Sequence, residues 1–252
     1  MVCSIGSLDP TGAAGIMMDL RVYADLGAIG VAVVAAVTAQ NSKRVVAVGA
    51  IPPTLITQQL EAVWEQVKPD AICIGLLPEA SGIKAVRRFL QRVSRRRPIV
   101  IDPVMQATSG KRFVGPSELR ELVQLLPLAT VVTPNLREVS EFVKKKIMTA
   151  DQAELAARKL TRHGCAVLVT GGHLTGDVCV DALAQHNRVR RFRAPRLAGS
   201  MRGAGGILAA ALAANLARGE SLERAVEDAR KFVRRALRNA RKVGSGTPQY
   251  VT

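Results

Sequence analysis

The stretch "PIVIDPV", residues 98–104, places a short β-branched run directly before an aspartate and a proline. Four other runs have the same apolar character: "VAVVAAVT" (31–38), "DAICIGLL" (70–77), "ATVVTP" (129–134) and "CAVLVTGG" (165–172). A strand with one solvated face alternates apolar and polar residues, and these runs do not alternate. They predict strands that are buried on both faces of a mainly parallel sheet.

Helical segments separate these strands. "PPTLITQQLEAVWEQV" starts with proline, "PSELRELVQLL" has a serine before an acidic first turn, and "TADQAELAARKLTRHG" has Thr149 as a cap and Gly164 as a stop. Repeated strand, helix and strand imply right-handed crossovers in a doubly wound α/β sandwich. "VCVDALAQHNRVRRFRA" predicts two more strands around a turn, as an antiparallel extension at one edge. Since no repeat or linker interrupts the pattern, we expect one domain over residues 1–252.

The composition favours an anionic partner, either a phosphorylated small molecule or nucleic acid. A chain of 252 residues with 48% hydrophobic content can bury a sizeable core, and its net charge of +16 attracts anions. The basic runs at 87–97, 144–146, 188–196 and 230–242 are interpreted as solvated faces. One Trp, two Tyr and five Phe supply few stacking platforms, so a basic nucleic-acid module is a remote rival.

The cysteines and the apolar segments indicate a cytoplasmic protein. Cys3, Cys73, Cys165 and Cys179 form no CxxC pair, which predicts buried thiols in a reducing compartment and neither a zinc site nor disulfides. No segment reaches the roughly 18 apolar residues that span a bilayer, and "MVCSIGSLDP" lacks the regions of a signal peptide. His163 and His173 lie away from other candidate ligands and are predicted to be turn or surface residues, not metal ligands.

Polar residues follow the predicted strands at their carboxyl ends, where ligands bind in such sheets. They are Asp9 to Gly15, Asp102, Asn135, Glu138, and Thr170 to Gly172. Asp102 and Glu138 provide two carboxylates that suit Mg²⁺ beside phosphates. The alternative for Asp102, which precedes Pro103, is that it only caps a turn.

The segment "SMRGAGGILAAALAANLARG", residues 200–219, opens an apolar helix with a glycine-rich turn. Free amides aimed along a helix dipole stabilise the charge of a transferring phosphoryl group. Gly203, Ala204, Gly205 and Gly206 are therefore candidates for an anion hole, or else they form a helix start that packs closely on the sheet. "DPTGAAG", residues 9–15, leaves room for a ligand or only makes a tight turn, and it is neither a Walker loop nor a dinucleotide fingerprint.

These segments occur together in one known family. "DPTGAAGIMMDL", "VTAQN", "IGLL", "IDPVMQATSG", "LLPLATVVTPNLREV", "VLVTGGH" and the residue 199–219 segment resemble, in order and spacing, the hydroxymethylpyrimidine and phosphomethylpyrimidine kinases of thiamine biosynthesis. That family lies in the ribokinase superfamily. The resemblance implies a ribokinase-like three-layer α/β/α sandwich and a homodimer. It also implies transfer of the ATP γ-phosphate, with Mg²⁺, to 4-amino-5-hydroxymethyl-2-methylpyrimidine and then to its monophosphate.

The resemblance also implies site residues. The pyrimidine contacts are Ala14, Asp19, Gln40, Leu76 and Val104, of which Leu76 replaces a more usual methionine in a volume-conserving exchange. The Mg²⁺ and water-network acids are Asp102 and Glu138, and the anion hole is Gly203 to Gly206. The nucleotide-side residues are Asn135, Thr170 and Gly172. Many relatives carry lysine where Thr170 stands.

One position departs from the family pattern. The family has HGTGC or HGSGC and the superfamily GxGD, whereas this chain has Arg202 and then Gly203 to Gly206. Without a side chain at Gly206, general-base help of roughly 10²–10⁴-fold is lost. A phosphate monoester, with a second pKa of about 6, is already mostly ionised at neutral pH, whereas an alcohol is not. We therefore expect the monophosphate to be the better acceptor, with Arg202 adding positive charge to the anion hole.

Two other functions remain open from the sequence. Gly206 is compatible with a catalytically impaired paralogue that still binds a pyrimidine-like ligand. Pyridoxal-type kinases use the same scaffold on a hydroxymethyl group. Gln40 and the "DPVM" context favour the aminopyrimidine, and retained Asp102 and Glu138 favour activity.

Overall fold

The computed structural model describes residues 1–93, 97–172, 176–244 and 246–251. Its strands are β1 (Val2–Leu8), β2 (Gly30–Gln40), β3 (Val45–Ala50), β4 (Ala71–Ile74), β5 (Ile99–Ile101), β6 (Val131–Val132), β7 (Ala166–Val169), β8 (Val178–Gln185) and β9 (Arg188–Pro195). Its helices are α1 (Gly15–Asp25), α2 (Pro53–Gln66), α3 (Ala80–Val93), α4 (Pro116–Leu125), α5 (Leu136–Val143), α6 (Ala150–Leu160), α7 (Ala204–Ala217) and α8 (Leu222–Arg238).

The strands form one sheet in the order β3-β2-β1-β4-β5-β6-β7-β8-β9. The six neighbouring strands β2, β1, β4, β5, β6 and β7 run parallel. In their register Val2 lies opposite Gly30 and Ile74 opposite Ile101. β3 joins one edge antiparallel, and β8 and β9 extend the other edge antiparallel. The predicted parallel sheet with an antiparallel extension is confirmed.

Helices cover both faces of the sheet. On one face α2 to α6 pack on a core that includes Ile56, Ile83 and Val139. On the other face α1, α7 and α8 pack on a second core that includes Val22 and Leu212. The result is the three-layer α/β/α arrangement that the sequence predicts.

Helix α7 is buried from Ile207 to Leu216 and lies against α1, α8 and the central strands. A helix that is apolar on every side needs such a central position, because it has no polar face to turn to water. This packing fixes the start of α7, at Ala204, beside the carboxyl end of the sheet. Within the described ranges no helix is both long and apolar enough to cross a membrane.

Local signals in the sequence account for most element ends. Thr149 caps α6 by accepting a hydrogen bond from the Gln152 amide, and Gly164 adopts the left-handed conformation after the turn that follows that helix. α4 begins earlier than its serine suggests, because Gly115 is the N-cap residue and its amide donates to Glu118. The short edge strand β3 is not among the predicted strands.

Two arginines of the basic segment at 188–196 are paired on the surface. Arg190 bonds Glu223 and Glu227 of α8, and Arg191 bonds Asp151 and Glu154 of α6. These ion pairs connect strand β9 to the two helices beside it and offset part of the positive charge. All four cysteines are free thiols, buried at Cys3, Cys73 and Cys165 and half-buried at Cys179.

Candidate active site

The start of α7 packs on the loop that follows β1. Gly203 caps the helix with φ 79°, a left-handed conformation that L residues rarely adopt. A Cβ atom there would lie 2.4 Å from the carbonyl oxygen of Ala13. Glycine is therefore required at this position, because both the backbone angle and the close approach exclude a side chain.

The first amides of α7 point out of the helix without internal partners. Hydrogen bonding of the helix starts with the Ile207 amide, which donates to the Gly203 carbonyl at 2.9 Å. Among the described residues, no acceptor is recorded for the amides of Ala204, Gly205 and Gly206. Gly205 is exposed and its neighbours are half-buried, so an anion can reach this turn. Free amides at a positive helix end form an anion-binding arrangement.

Two side chains surround the position of the missing base. A Cβ atom on Gly206 would lie 2.9 Å from the Met18 Cε atom, at the tip of a buried side chain on α1. The Asp102 Oδ2 atom lies 3.9 Å from the same point and equally far from a Cβ on Gly205. The turn therefore faces a methyl group on one side and a carboxylate on the other.

Asp102 and Glu138 form the acidic part of the site. Both are buried, and Glu138 accepts hydrogen bonds from the amides of Asn135 at 2.8 Å and Met105 at 3.5 Å. Burial raises the pKa of Asp102 to about 7. Burial, with repulsion from Asp102 as a further cause, raises the pKa of Glu138 to about 8. Two carboxyl groups in this environment favour a shared proton or a cation.

This donor set suits Mg²⁺ in a phosphate complex. The described part of the chain contains no group of three or more His, Cys, Asp or Glu residues that could hold a metal alone. Mg²⁺ is usually bound by one or two carboxylates with water and substrate phosphates. Asp102, beside the α7 amides, and Glu138 behind it fit that requirement.

Asp19, one of the predicted pyrimidine contacts, belongs to a buried hydrogen-bond chain. The Ser4 hydroxyl donates to Asp19 Oδ2 at 2.9 Å and lies 2.7 Å from the Tyr23 hydroxyl. Since Ser4 has one proton and gives it to the carboxylate, Tyr23 donates to Ser4. Burial raises the pKa of Asp19 to about 7, the Ser4 bond opposes the rise, and the Asp102 charge adds to it.

Ser4 and Tyr23, which hold Asp19, are not among the residues predicted from the sequence. Tyr23 stands four residues after Asp19, and this spacing places both on one face of α1, so helical periodicity alone could have linked them. Ser4 lies inside the apolar strand β1, where its sequence context gives no signal.

The predicted pyrimidine contacts follow the carboxyl ends of four neighbouring strands. Gln40 ends β2, Ala14 lies after β1, Leu76 after β4 and Val104 after β5. These strands are adjacent in the sheet in that order. Leu76 is buried and Ala14 and Val104 are half-buried. The topology therefore brings the predicted acceptor residues to one edge.

The predicted nucleotide residues lie further along the same edge. Asn135 caps α5, accepting from the amides of Arg137 and Glu138. Asn135 forms an isolated parallel β-bridge with Thr170, and the Thr170 amide donates a hydrogen bond to the Pro134 carbonyl. The Gly172 carbonyl accepts a 2.8 Å hydrogen bond from Arg196.

One of the two histidines predicted to be turn or surface residues can be located. His163 is half-buried in the turn after α6, away from this edge, and burial lowers its pKa. His173 lies outside the described residues.

Arg202 turns toward the loop after β1. Its Nη2 atom lies 3.3 Å from Asp9 Oδ2, and its side chain is 11% exposed while that of Asp9 is fully buried. Asp9 Oδ1 accepts from both the amide and the hydroxyl of Thr11 at 2.9 Å. The Arg202 amide donates to the Pro248 carbonyl, in a C-terminal segment that runs alongside.

Comparison with known proteins identifies the family. The family model for phosphomethylpyrimidine kinase matches residues 9–250. The chain belongs to the phosphomethylpyrimidine kinase family. It is 38% identical to a hydroxymethylpyrimidine/phosphomethylpyrimidine kinase of Rhizobium meliloti, over 96% of this chain and 92% of that one. It is 36% identical to the thiamine biosynthesis bifunctional protein ThiED of Geobacter sulfurreducens, over 97% of this chain but only half of that protein.

Solved structures agree with the family's fold. The phosphomethylpyrimidine kinase of Clostridium difficile superposes with a TM-score of 0.82 at 31% identity, over 93% of this chain and 98% of that chain. The pyridoxal kinase of Staphylococcus aureus in complex with AMP-PCP and pyridoxal superposes with a TM-score of 0.89 at 27% identity, over 99% and 92%. The predicted ribokinase-like sandwich and kinase family are both confirmed.

Proposed function

We propose that this chain is a single-domain, ATP-dependent kinase that converts hydroxymethylpyrimidine monophosphate to the diphosphate in thiamine biosynthesis. The observation that carries the proposal is the start of α7, where three amides are free, the Asp102 carboxylate lies beside Gly205 and Gly206, and residue 206 has no side chain. Such a turn can hold a transferring phosphoryl group. It cannot take a proton from the acceptor substrate, because residue 206 has no side chain that could act as a base.

The monophosphate needs no proton removed at that point. An ionised oxygen of its phosphate attacks the ATP γ-phosphorus, a new phosphorus–oxygen bond forms, and the bond to the bridging oxygen of ADP breaks. Because the transition state of this reaction is loose, positioning and charge stabilisation account for most of the rate acceleration. The amides of Ala204, Gly205 and Gly206 supply stabilisation, and the alcohol acceptor, which must lose a proton, is the slower substrate.

The acceptor ring is assigned to the edge formed by β2, β1, β4 and β5. Asp19 and Gln40 contact its polar atoms, and Ala14, Leu76 and Val104 form its walls. Asp19 suits this role because Ser4 and Tyr23 fix one of its oxygens in place. A carboxyl group held in this way presents its other oxygen in a defined direction.

The nucleotide and the metal are assigned to the other side of Asp102. Asn135, Thr170 and Gly172 lie at the next strand ends and are proposed to contact ATP. Asp102 and Glu138 would hold Mg²⁺, which neutralises phosphate charge when bound. This assignment is supported by the burial of both carboxyl groups, because a bound cation would compensate their negative charge.

We also propose that the protein acts in the cytoplasm as a homodimer. The edge strand β3 exposes Val46 at 63%, and Val37 on the adjacent β2 is 44% exposed. Unprotected apolar edge strands tend to pair with another chain. A second copy would cover this edge.

Two alternatives share parts of the site. Met18 fills the space beside Gly206, as expected if the chain is an impaired ligand-binding paralogue. The likeness to pyridoxal kinase structures fits a related acceptor with a hydroxymethyl group. Intact Asp102, Glu138 and α7 amides favour an active enzyme.

The deciding experiment is ADP release measured with hydroxymethylpyrimidine, its monophosphate and pyridoxine. The proposal expects turnover on the monophosphate to exceed turnover on the alcohol. Turnover on no acceptor, with recovery in Gly206→Cys, would establish the impaired paralogue. Faster turnover on pyridoxine than on either pyrimidine would establish the pyridoxal-type activity.

A further inference from the structure

Two loops that carry different parts of the site are joined by one buried ion pair. Asp9 follows β1 at the start of the loop on the acceptor side, and Arg202 immediately precedes the α7 turn. Their charged atoms lie 3.3 Å apart, with Asp9 fully buried and Arg202 only 11% exposed. Between described residues this is the most enclosed of the recorded ion pairs, since the Arg230–Asp181 pair is 13% and 10% exposed.

Asp9 is also fixed from its own loop. Its Oδ1 atom accepts two hydrogen bonds from Thr11, so the remaining Oδ2 atom is directed to Arg202. That Oδ2 atom has no partner with hydrogen-bond geometry among the described residues, although Arg202 lies within ion-pair distance. The contact is therefore mainly electrostatic, and Arg202 is the group that compensates this buried charge.

The same two loops touch through their backbones. The Cα atom of Gly203 packs on the Ala13 carbonyl so closely that no Cβ would fit. The Arg202 amide is held on its other side by the Pro248 carbonyl. Arg202 is thus fixed by its main chain to the C-terminal segment and by its side chain to the acceptor loop.

We propose that Asp9 and Arg202 are positioning residues for phosphoryl transfer, because their ion pair sets the α7 amides at a defined distance from the acceptor loop. This inference rests on the proposed kinase function. It also gives Arg202 a different role from a free charge in the anion hole, since its guanidinium is directed to Asp9. Neither residue needs to touch the transferred group.

The test removes both charges together. Removing one partner leaves the other buried and uncompensated, whereas removing both avoids that penalty. Asp9→Asn keeps the acceptor for Thr11, and Arg202→Met keeps a long side chain. We expect the double variant Asp9→Asn/Arg202→Met to keep a Tm close to that of the parent.

The kinetic result separates positioning from a structural role. A displacement of about 1 Å between reacting groups lowers the rate about 10²-fold. We expect kcat of the double variant on the monophosphate to fall about 10²-fold, with the KM values for ATP and acceptor changing less than about 3-fold. Arg202→Lys keeps the charge and should stay within about 10-fold of the parent kcat. Parental kcat in a folded double variant would overturn the inference.

The surface pair of Arg92 and Glu61 is the matched control. Its side chains are about half exposed, and neither has a second ion-pair partner among the described residues. The double variant Arg92→Met/Glu61→Gln should keep parental kcat and Tm, because exposed pairs contribute little. An equal loss of kcat in this control would mean that the loss in the Asp9–Arg202 variant is not specific to that ion pair.

A second readout keeps the inference separate from the proposed function. If the parent turns over no acceptor, the kinase proposal fails, and the ion pair is then judged by hydrogen exchange at Ile207, the first hydrogen-bonded amide of α7. Faster exchange of this amide in Asp9→Asn/Arg202→Met than in the parent supports positioning by the pair. Unchanged exchange overturns it.

Discussion

The Met18 Cε atom lies 2.9 Å from the point where a Cβ atom on Gly206 would stand. A side chain at residue 206 and Met18 in its present conformation are therefore incompatible. Because Cε is the far end of a flexible side chain, the conflict can be relieved by a change at residue 18. A side chain at residue 206 thus requires the end of Met18 to move, and a shorter side chain at residue 18 makes room for it.

The first prediction concerns this pair. Gly206→Cys alone should raise turnover on the alcohol less than Gly206→Cys/Met18→Leu does, because leucine lacks the terminal methyl. For the double variant we expect a gain of about 10²-fold on the alcohol, the lower part of the range for general-base catalysis. Turnover on the monophosphate should change little. ADP release on both acceptors measures this difference.

Met18→Leu alone is the control for the double variant. A volume-conserving exchange of this kind usually costs less than about 1.5 kcal/mol of unfolding free energy. The control should fold and leave alcohol turnover unchanged. A gain in Met18→Leu equal to that of the double variant would show that a thiol at residue 206 is not the cause.

The second prediction is that Asp102→Asn gains stability and loses activity. Asn keeps the shape but removes the charge that raises the pKa of Glu138. Without Mg²⁺ at pH 8, we expect the unfolding free energy to rise by about 1 kcal/mol or more, since one pKa unit corresponds to about 1.4 kcal/mol. Turnover should fall at least about 10²-fold, as an electrostatic group at the phosphoryl site is lost.

Urea unfolding and ADP release measure the two effects of Asp102→Asn. Asp151→Asn, on the exposed surface of α6, serves as the control and should change neither by much. Lower stability of Asp102→Asn in the absence of Mg²⁺ would contradict the repulsion between the two buried carboxyl groups.

The third prediction is the pH dependence of stability without metal. The folded-state pKa values of Asp19, Asp102 and Glu138 are raised to about 7, 7 and 8, whereas unfolded carboxyl groups titrate near 4. The folded state therefore binds more protons than the unfolded state between these values. Stability from these groups is fully present below about pH 4 and is lost as the pH rises toward 8.

Urea unfolding at pH 5, 6.5 and 8 should show a decrease of a few kcal/mol over this interval. Asp19→Asn should make the decrease smaller, because one of the titrating groups is removed. Mg²⁺ added at pH 8 should recover part of the loss in the parent. Stability that increases from pH 5 to pH 8 would contradict the raised pKa values.

The fold was largely predictable because burial on both faces leaves a clear sequence pattern. The apolar runs of β4, β5 and β6 do not alternate, and each lies between helical segments. The runs of β2 and β7 are equally apolar, although Val37 of β2 is exposed. The sequence of β3, "VVAVGA", is as apolar as these runs although it was not predicted to be a strand, and in the structure none of its six residues is buried. Strand pairing at an edge is decided by neighbours that the local sequence does not show.

The site was predictable where residues follow strand ends and unpredictable where contacts cross the fold. Asp102 and the α7 turn were located by topology, which brings strand ends to one edge. The contact of Met18 with the space beside Gly206 joins positions 188 residues apart, and no spacing rule connects them. The same holds for Asp9 and Arg202, whose pairing redirects a charge that the sequence assigned to the anion hole.

The last prediction tests the hydrogen-bond chain behind Asp19. Tyr23→Phe removes the donor to Ser4, so the Ser4 hydroxyl can rotate and Asp19 is held less firmly. We expect a stability loss of about 1–2 kcal/mol for the unpaired buried group. The acceptor KM should rise about 3- to 10-fold, which corresponds to about 0.7–1.4 kcal/mol of lost binding, while the KM for ATP stays unchanged. Steady-state kinetics with each substrate varied in turn measure this split.

Tyr250→Phe is the matched control, because it removes the same hydroxyl group from a tyrosine that bonds Asp25 near the C-terminus. Its acceptor KM should equal that of the parent, since neither residue belongs to the predicted acceptor edge. The two tyrosines differ in what they contact: Tyr23 acts through Ser4 on a proposed substrate contact, whereas Tyr250 packs against Phe232. Equal KM changes for ATP and acceptor in Tyr23→Phe would mean that the hydrogen bonds among Tyr23, Ser4 and Asp19 support the fold and not the orientation of Asp19.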